Sequence, residues 1–263
     1  MKIATYQFES KLGQVDYNLN KIITILESEE VNNFDIVVFP EMSDTGYDMQ
    51  VIKDYAVVWG NDHLTPIMQL AVKQNICIIL GLSEKVEDKV YNTVAVIDNT
   101  GNLTYKYRKT HLVTIKPISE ELFITPGDHL GIFSILGIKV GVMTCYELRF
   151  PEIARTLTLR GIQILFVPTA WPFARVDHFV SLLIARAIEN QIFIVACGRV
   201  GTDAGIKFAG NSMIIDPFGK IIARASDSLE GIVSGIVDLN QIEQSRNLIN
   251  ALDERRSDLY KLG

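Results

Sequence analysis

Residues 162–169, IQILFVPT, decide the fold. From Ile164 to Val167 every side chain is apolar, so neither face of this strand is made for water. A half-exposed antiparallel strand would alternate instead. Working outward, a helical pattern over 151–160 precedes the run, with Pro151 near its first turn. A second helical pattern over 176–190 follows it, and then another unalternating strand, IFIVACG (192–198). The same composition recurs in FDIVVFP (34–40). Helices interspersed with strands buried on both faces predict an α/β layered fold.

The rest of the chain adds strands and qualifies that reading. KIATYQFE (2–9) reads as a strand, 17–30 as a helix carrying Leu19, Ile22, Ile23 and Leu26, and 63–75 as another helix before NICIILGLSEK (75–85). VYNTVAVID (90–98) and LTYKYRK (103–109) flank NTGN; HLGIFSI (129–135) and IKVGVMTC (138–145) flank LG; NSMIID (211–216) and IIARA (221–225) flank PFGK. These hairpins exclude a purely parallel sheet. GIVSGIVDL (231–239) is a last strand, and the tail 239–263 is polar and partly helical. Mixed sheets stacked face to face, with helices outside, satisfy all of it. No linker or low-complexity segment interrupts 1–263, which is read as one domain.

Bulk properties narrow the function. The chain has 263 residues, 48% of them hydrophobic, enough for a sizeable core. A net charge of -6 and a pI near 5.3 disfavour nucleic acid and anionic lipid as partners. Cys77, Cys145 and Cys197 show neither zinc spacing nor a disulfide framework. None of the four histidines has another at i+3 or i+4, so no metal is expected. No apolar run is long enough to span a membrane, and the N-terminus lacks a signal-peptide pattern. The expectation is a cytoplasmic protein of a reducing compartment.

Three polar side chains follow the ends of strands: Glu41 after IVVFP, Lys109 at the close of LTYKYRK, and Cys145 after VGVMT. Strand ends and the loops beyond them form the ligand crevice of α/β sheets. A thiol beside a carboxylate can lose its proton to it, and an ammonium stabilises an oxyanion. The backbone N–H of Tyr146, at the start of a helix, supplies a second donor. Each residue taken alone has a plainer reading: a buried cysteine, a helix-capping or solvated glutamate, a surface lysine beside Arg108. His111 reads as a supporting or surface residue.

FPEMSDTGY (39–47), YRKTHL (107–112) and CYELRFPE (145–152) resemble the three catalytic blocks of the carbon–nitrogen hydrolase, or nitrilase, superfamily. TPGD (125–128) and ARAIENQIFIVACGRVG (185–201) are similar as well, so the resemblance spans nearly the whole chain. It implies a four-layer α-β-β-α sandwich, with Cys145 as nucleophile, Glu41 as general base, Lys109 as oxyanion stabiliser, and Glu120 as a second glutamate positioning the lysine; Glu121 is its neighbouring alternative. It implies no cofactor, and a homodimer or larger homo-oligomer; the polar tail 239–263, with LDERRSDLY, is expected to pack on a partner subunit.

CYELRFPE and TAWPFARVDHF are similar to the ω-amidase branch, which acts on 2-oxoglutaramate and related monoamides. Such a substrate implies a carboxylate anchor, for which Arg175 is the candidate, with Tyr47, Trp171 and Phe173 as aromatic walls. Arg149 is either a second cation or the buried partner of an acidic group. Hydrolysis of carbamyl compounds or nitriles, and a non-catalytic binding role on the same fold, are the alternatives.

Overall fold

The computed structural model describes residues 1–59 and 61–259. Its strands are β1 (Lys2–Gln7), β2 (Ile36–Phe39), β3 (Cys77–Val86), β4 (Lys89–Ile97), β5 (Leu103–Arg108), β6 (Gly131–Ile135), β7 (Ile138–Val142), β8 (Ile164–Thr169), β9 (Phe193–Gly198), β10 (Thr202–Asp203), β11 (Ile206–Lys207), β12 (Met213–Ile215), β13 (Ile221–Arg224) and β14 (Gly231–Ile236). The helices are α1 (Val15–Glu27), α2 (Met49–Tyr55), α3 (Asn61–Gln74), α4 (Pro151–Leu159), α5 (Val176–Asn190) and α6 (Asn240–Leu248).

Two six-stranded sheets form, in the orders β14-β1-β2-β3-β4-β5 and β13-β12-β9-β8-β7-β6. Each has three parallel strands at its centre, β1-β2-β3 and β7-β8-β9, and antiparallel strands on either side. The unalternating runs therefore occupy the middle of each sheet, where both faces are covered. Ile36 and Val38 of β2 pack between the sheets against Phe166 and Val195, while Val37 and Phe39 point outward to α1 and α3. Leu165, Val167, Ile194 and Ala196 likewise point outward to α4 and α5. The result is the four-layer α-β-β-α sandwich.

A parallel bridge from Phe8 to Arg199 joins the two sheets just beyond β1 and β9. The C-terminal ends of the central strands of both sheets consequently meet along one edge, and β5, antiparallel to β4, ends there too. This edge carries Glu41, Lys109 and Cys145.

Sequence periodicity missed the short elements. Helix α2 is seven residues long, and the β10–β11 hairpin has two residues on each side. The strands expected over 211–216 and 231–239 shorten to Met213–Ile215 and Gly231–Ile236. In the tail, α6 packs on its own chain. Ile242 is buried, and Gln191 Nε2 donates to the carbonyls of Ser245 and Ile249. Positions 260–263 of the tail lie outside the described residues.

Candidate active site

Backbone geometry sets the site before any side chain does. Cys145 has φ +49° at the corner where β7 gives way to a 3-10 turn, Cys145–Arg149. Met42, next to Glu41, and Ser119, next to Glu120, also have positive φ (+51° and +48°). Non-glycine residues held in this region cost energy and cluster where geometry matters for function. Two glycines permit the close approaches behind them. A Cβ at Gly81 would meet Pro40 O at 2.4 Å and Glu41 Cα at 2.7 Å. A Cβ at Gly127, the glycine of TPGD, would meet Arg108 O at 2.2 Å, and Gly127 N–H donates to the Lys109 carbonyl at 2.8 Å.

Lys109 is fully buried, which removes the surface-charge reading. Its Nζ donates to Glu41 Oε1 at 2.9 Å and to Glu120 Oε1 at 2.8 Å, both carboxylates being fully buried as well. Burial acts to lower the ammonium's pKa, yet the Glu120 and Glu41 carboxylates outweigh it and raise it above the ordinary lysine range. Glu41 is fixed by two further donors, Asn92 Nδ2 at 2.6 Å and the Ala170 N–H at 2.7 Å. Glu120 accepts from the Tyr47 hydroxyl and from the Val113 N–H, each at 2.7 Å. Its neighbour Glu121 is exposed, so the choice between the two falls on Glu120.

The thiol of Cys145 shares this crevice. Burial first, then the Glu41 carboxylate, push its pKa up; the Lys109 ammonium and the Thr169 hydroxyl pull it down and do not prevail. The hydroxyl of Thr169 is buried and, among the described residues, has no partner within ordinary hydrogen-bond distance. Ionising the sulfur would add negative charge beside the Glu41 and Glu120 carboxyl groups in a buried site, so these surroundings favour the neutral thiol.

Cys145 opens onto a cavity of about 420 Å³, within the range of roughly 300–1,000 Å³ usual for small-molecule sites. Tyr47, Tyr146, Trp171 and Phe173 line it. Trp171 is buried, stacks on Phe179 at 5.2 Å and donates its indole N–H to the Arg175 carbonyl. Arg149, Arg175, Lys116 and Lys207 are also in the wall, and among the described residues none is ion-paired with a carboxylate. Arg175 is exposed; Arg149 is half-buried and lies 4.7 Å over the Trp171 ring. Arg149 thus faces the cavity rather than an acidic partner. The β10–β11 hairpin, which the sequence reading did not see, brings Ile206 and Lys207 to the wall. It is anchored next to its turn, where Asp203 pairs with buried Arg199 and accepts the Tyr47 N–H at 2.8 Å. His111 is half-buried, its ring tilted against Phe150 with centroids 4.3 Å apart. No group of three His, Cys, Asp or Glu among the described residues is placed to hold a metal, and no described helix is long and apolar enough to cross a membrane.

Comparison with known proteins gives the same picture. Residues 2–247 match the carbon-nitrogen hydrolase family. A 2-oxoglutaramate amidase of Bacillus subtilis is 36% identical over 259 residues, covering 98% of each chain. An omega-amidase of Xenopus tropicalis is 31% identical, over 93% of this chain and 91% of the other. Among solved structures, Saccharomyces cerevisiae Nit3, described as a member of branch 10 of the nitrilase superfamily, superposes with a TM-score of 0.89. It is 27% identical over 97% of this chain and 96% of its own.

Proposed function

The chain belongs to the carbon-nitrogen hydrolase family, and from that premise we propose that it hydrolyses a small carboxylate-bearing amide, 2-oxoglutaramate being the leading candidate, through a thioester on Cys145. The observation that supports the chemistry is the buried bridge of Lys109 between Glu41 and Glu120, 2.9 and 2.8 Å long, beside the thiol.

The steps follow from a neutral thiol placed beside a carboxyl group and an ammonium. Glu41 takes the thiol proton as sulfur attacks the amide carbon, so no free thiolate has to accumulate. The oxyanion forms against the Lys109 ammonium and the N–H of Tyr146, in the first turn where helical N–H groups lack internal partners. Collapse breaks the C–N bond, Glu41 returns its proton to the leaving nitrogen, and ammonia departs. Glu41 then takes a proton from water, whose oxygen attacks the thioester. Expelled sulfur recovers that proton, and the carboxylic product leaves. Glu120 holds Lys109 in place and never touches the reacting atoms.

Two observations support a carboxylate-bearing substrate: the curated relative at 36% identity acts on 2-oxoglutaramate by its name, and four cations with no carboxylate ion pair among the described residues line the cavity. Arg149, half-buried and stacked on Trp171, is the anchor best placed to hold a carboxylate, with Arg175 and Lys207 at the rim. Ammonia release from 2-oxoglutaramate and succinamate, compared with uncharged amides of equal length, tests the reading. The charged amides should show the lower KM, and Arg149→Met or Arg175→Ala should raise it for them alone. Equal KM values for charged and uncharged amides would contradict it.

Pairing into a homodimer belongs to the same proposal. Leu159 of α4, Ile188 of α5 and Phe218 of the β12–β13 turn are exposed, apolar side chains suited to a second copy. Light scattering at working concentration should report a dimer; a monomer would count against it.

A further inference from the structure

Glu147 stands two residues after Cys145, fully buried, and no step above uses it. Its Oε1 accepts from the Tyr107 hydroxyl at 2.7 Å, the Thr110 N–H at 2.8 Å, the Thr110 hydroxyl at 2.6 Å and the His111 N–H at 3.2 Å. Its Oε2 accepts from the Thr144 N–H at 2.7 Å. Tyr107, Thr110 and His111 bracket Lys109 in the chain, and Thr144 immediately precedes Cys145. One carboxylate thereby ties the segment that carries the ammonium to the turn that carries the sulfur. Among the described residues no other hydrogen bond joins 107–111 to 143–149.

The donor set explains why a carboxylate stands here. All five contacts are N–H or O–H groups pointing inward, and only an ionised carboxyl accepts on both oxygens. An amide would turn one of its ends into a donor. Whichever end it turned, an N–H would then face another N–H, on the Lys109 side or on the Cys145 side. We propose that Glu147 is a positioning residue for the amide hydrolysis, setting where the Lys109 ammonium stands relative to the Cys145 sulfur without touching substrate. This rests on the reading of Cys145 and Lys109 given above.

The test is Glu147→Gln in the full chain, beside the milder pair Tyr107→Phe and Thr110→Val, which removes two hydroxyl donors and leaves the carboxylate in place. Glu147→Gln should lower kcat for ammonia release about 10- to 100-fold while KM stays within about two-fold, because displacements near 1 Å are felt in the transition state first. The hydroxyl pair should lower kcat at least roughly three-fold with KM unchanged. Two further readouts do not depend on the amide. Alkylation of Cys145 by iodoacetamide should slow several-fold, since a displaced ammonium favours the thiolate less. The His111 ring, whose pKa is raised chiefly by the Glu147 carboxylate 3.8 Å from its Nδ1, should return toward the ordinary histidine range in an NMR titration of Glu147→Gln. Folded variants with kcat and alkylation rate both within about two-fold of the parent would overturn the proposal, as would an unmoved His111 titration. If the parent releases no ammonia from any amide, the hydrolase reading has failed, and the alkylation and titration arms still decide whether Glu147 positions the pair. If Glu147→Gln does not fold, the hydroxyl pair decides alone, and an unchanged kcat there overturns it.

Discussion

Replacing Lys109 by methionine removes the only cation among the described residues that contacts Glu41 and Glu120. All three side chains are fully buried, so water cannot take the ammonium's place. Two carboxylates would then face each other uncompensated. Breaking a buried pair from one side costs about 3–5 kcal/mol, which for a chain of this size lowers Tm by roughly 10 °C. The cost has a signature that simple loss of packing lacks. Lys109→Met combined with Glu120→Gln leaves one charge instead of two, and should be more stable than Lys109→Met alone, by roughly 1–2 kcal/mol in a double-mutant cycle.

The pH dependence gives a second signature. The lysine's folded pKa is raised, so in the parent its stabilisation is complete below the unfolded lysine value and is lost only as pH rises through the folded one. The gap between parent and Lys109→Met is therefore full at neutral pH. It should narrow as pH falls toward about pH 4, because protonation relieves the two uncompensated buried carboxylates of Lys109→Met. Thermal unfolding by circular dichroism from acid to neutral pH measures both signatures. A Lys109→Met protein with a Tm within about 2 °C of the parent, or a double variant no more stable than the single one, would refute the reasoning. Ammonia release should fall about 10²- to 10³-fold in the same variant, the loss typical of removing an oxyanion donor.

Cys145→Ala should abolish ammonia release while costing less than about 2 kcal/mol, since only a sulfur is lost at the edge of a packed cluster; retained turnover would end the nucleophile assignment. Because burial and the Glu41 carboxylate raise the thiol's pKa, alkylation of Cys145 by iodoacetamide should keep rising with pH beyond about pH 8.5, the range of a free cysteine. A plateau established by about pH 7 would mean a preformed thiolate and contradict the neutral resting state. Gly127→Ala places a methyl 2.2 Å from the Arg108 carbonyl, so the TPGD loop must move away from Lys109. A loss of at least about 2 kcal/mol is expected on denaturant unfolding, and a neutral result would show that the close approach is dispensable.

The sequence carried the centre of the fold better than its margins. IVVF, ILFV and FIVA are buried on both faces, and their lack of alternation says so without any knowledge of which strands pair. Helix α2 and the β10–β11 hairpin are too short for a period to register. Lys109 next to Arg108 looks like any charged strand end; only the fold shows that one points to Glu84 at the sheet's side while the other is sealed between Glu41 and Glu120. Glu147 was invisible for a similar reason, being one acid in a charged stretch whose five donors come mostly from residues nearly forty positions away. Arg149 reads from the sequence either as a second cation or as the partner of an acid, and the fold turns it to the cavity, over the Trp171 ring. Strand ends signal where side chains gather; what each then touches is decided by loops whose paths no local pattern encodes.

The most direct measurement is intact-protein mass spectrometry after rapid acid quenching during turnover of 2-oxoglutaramate, followed by peptide mapping. One acyl group bound as a thioester on the peptide containing Cys145 is the predicted result, with the added mass disappearing on treatment with hydroxylamine and absent from Cys145→Ala. Turnover with the acyl group on another residue, or persisting in Cys145→Ala, would contradict the account.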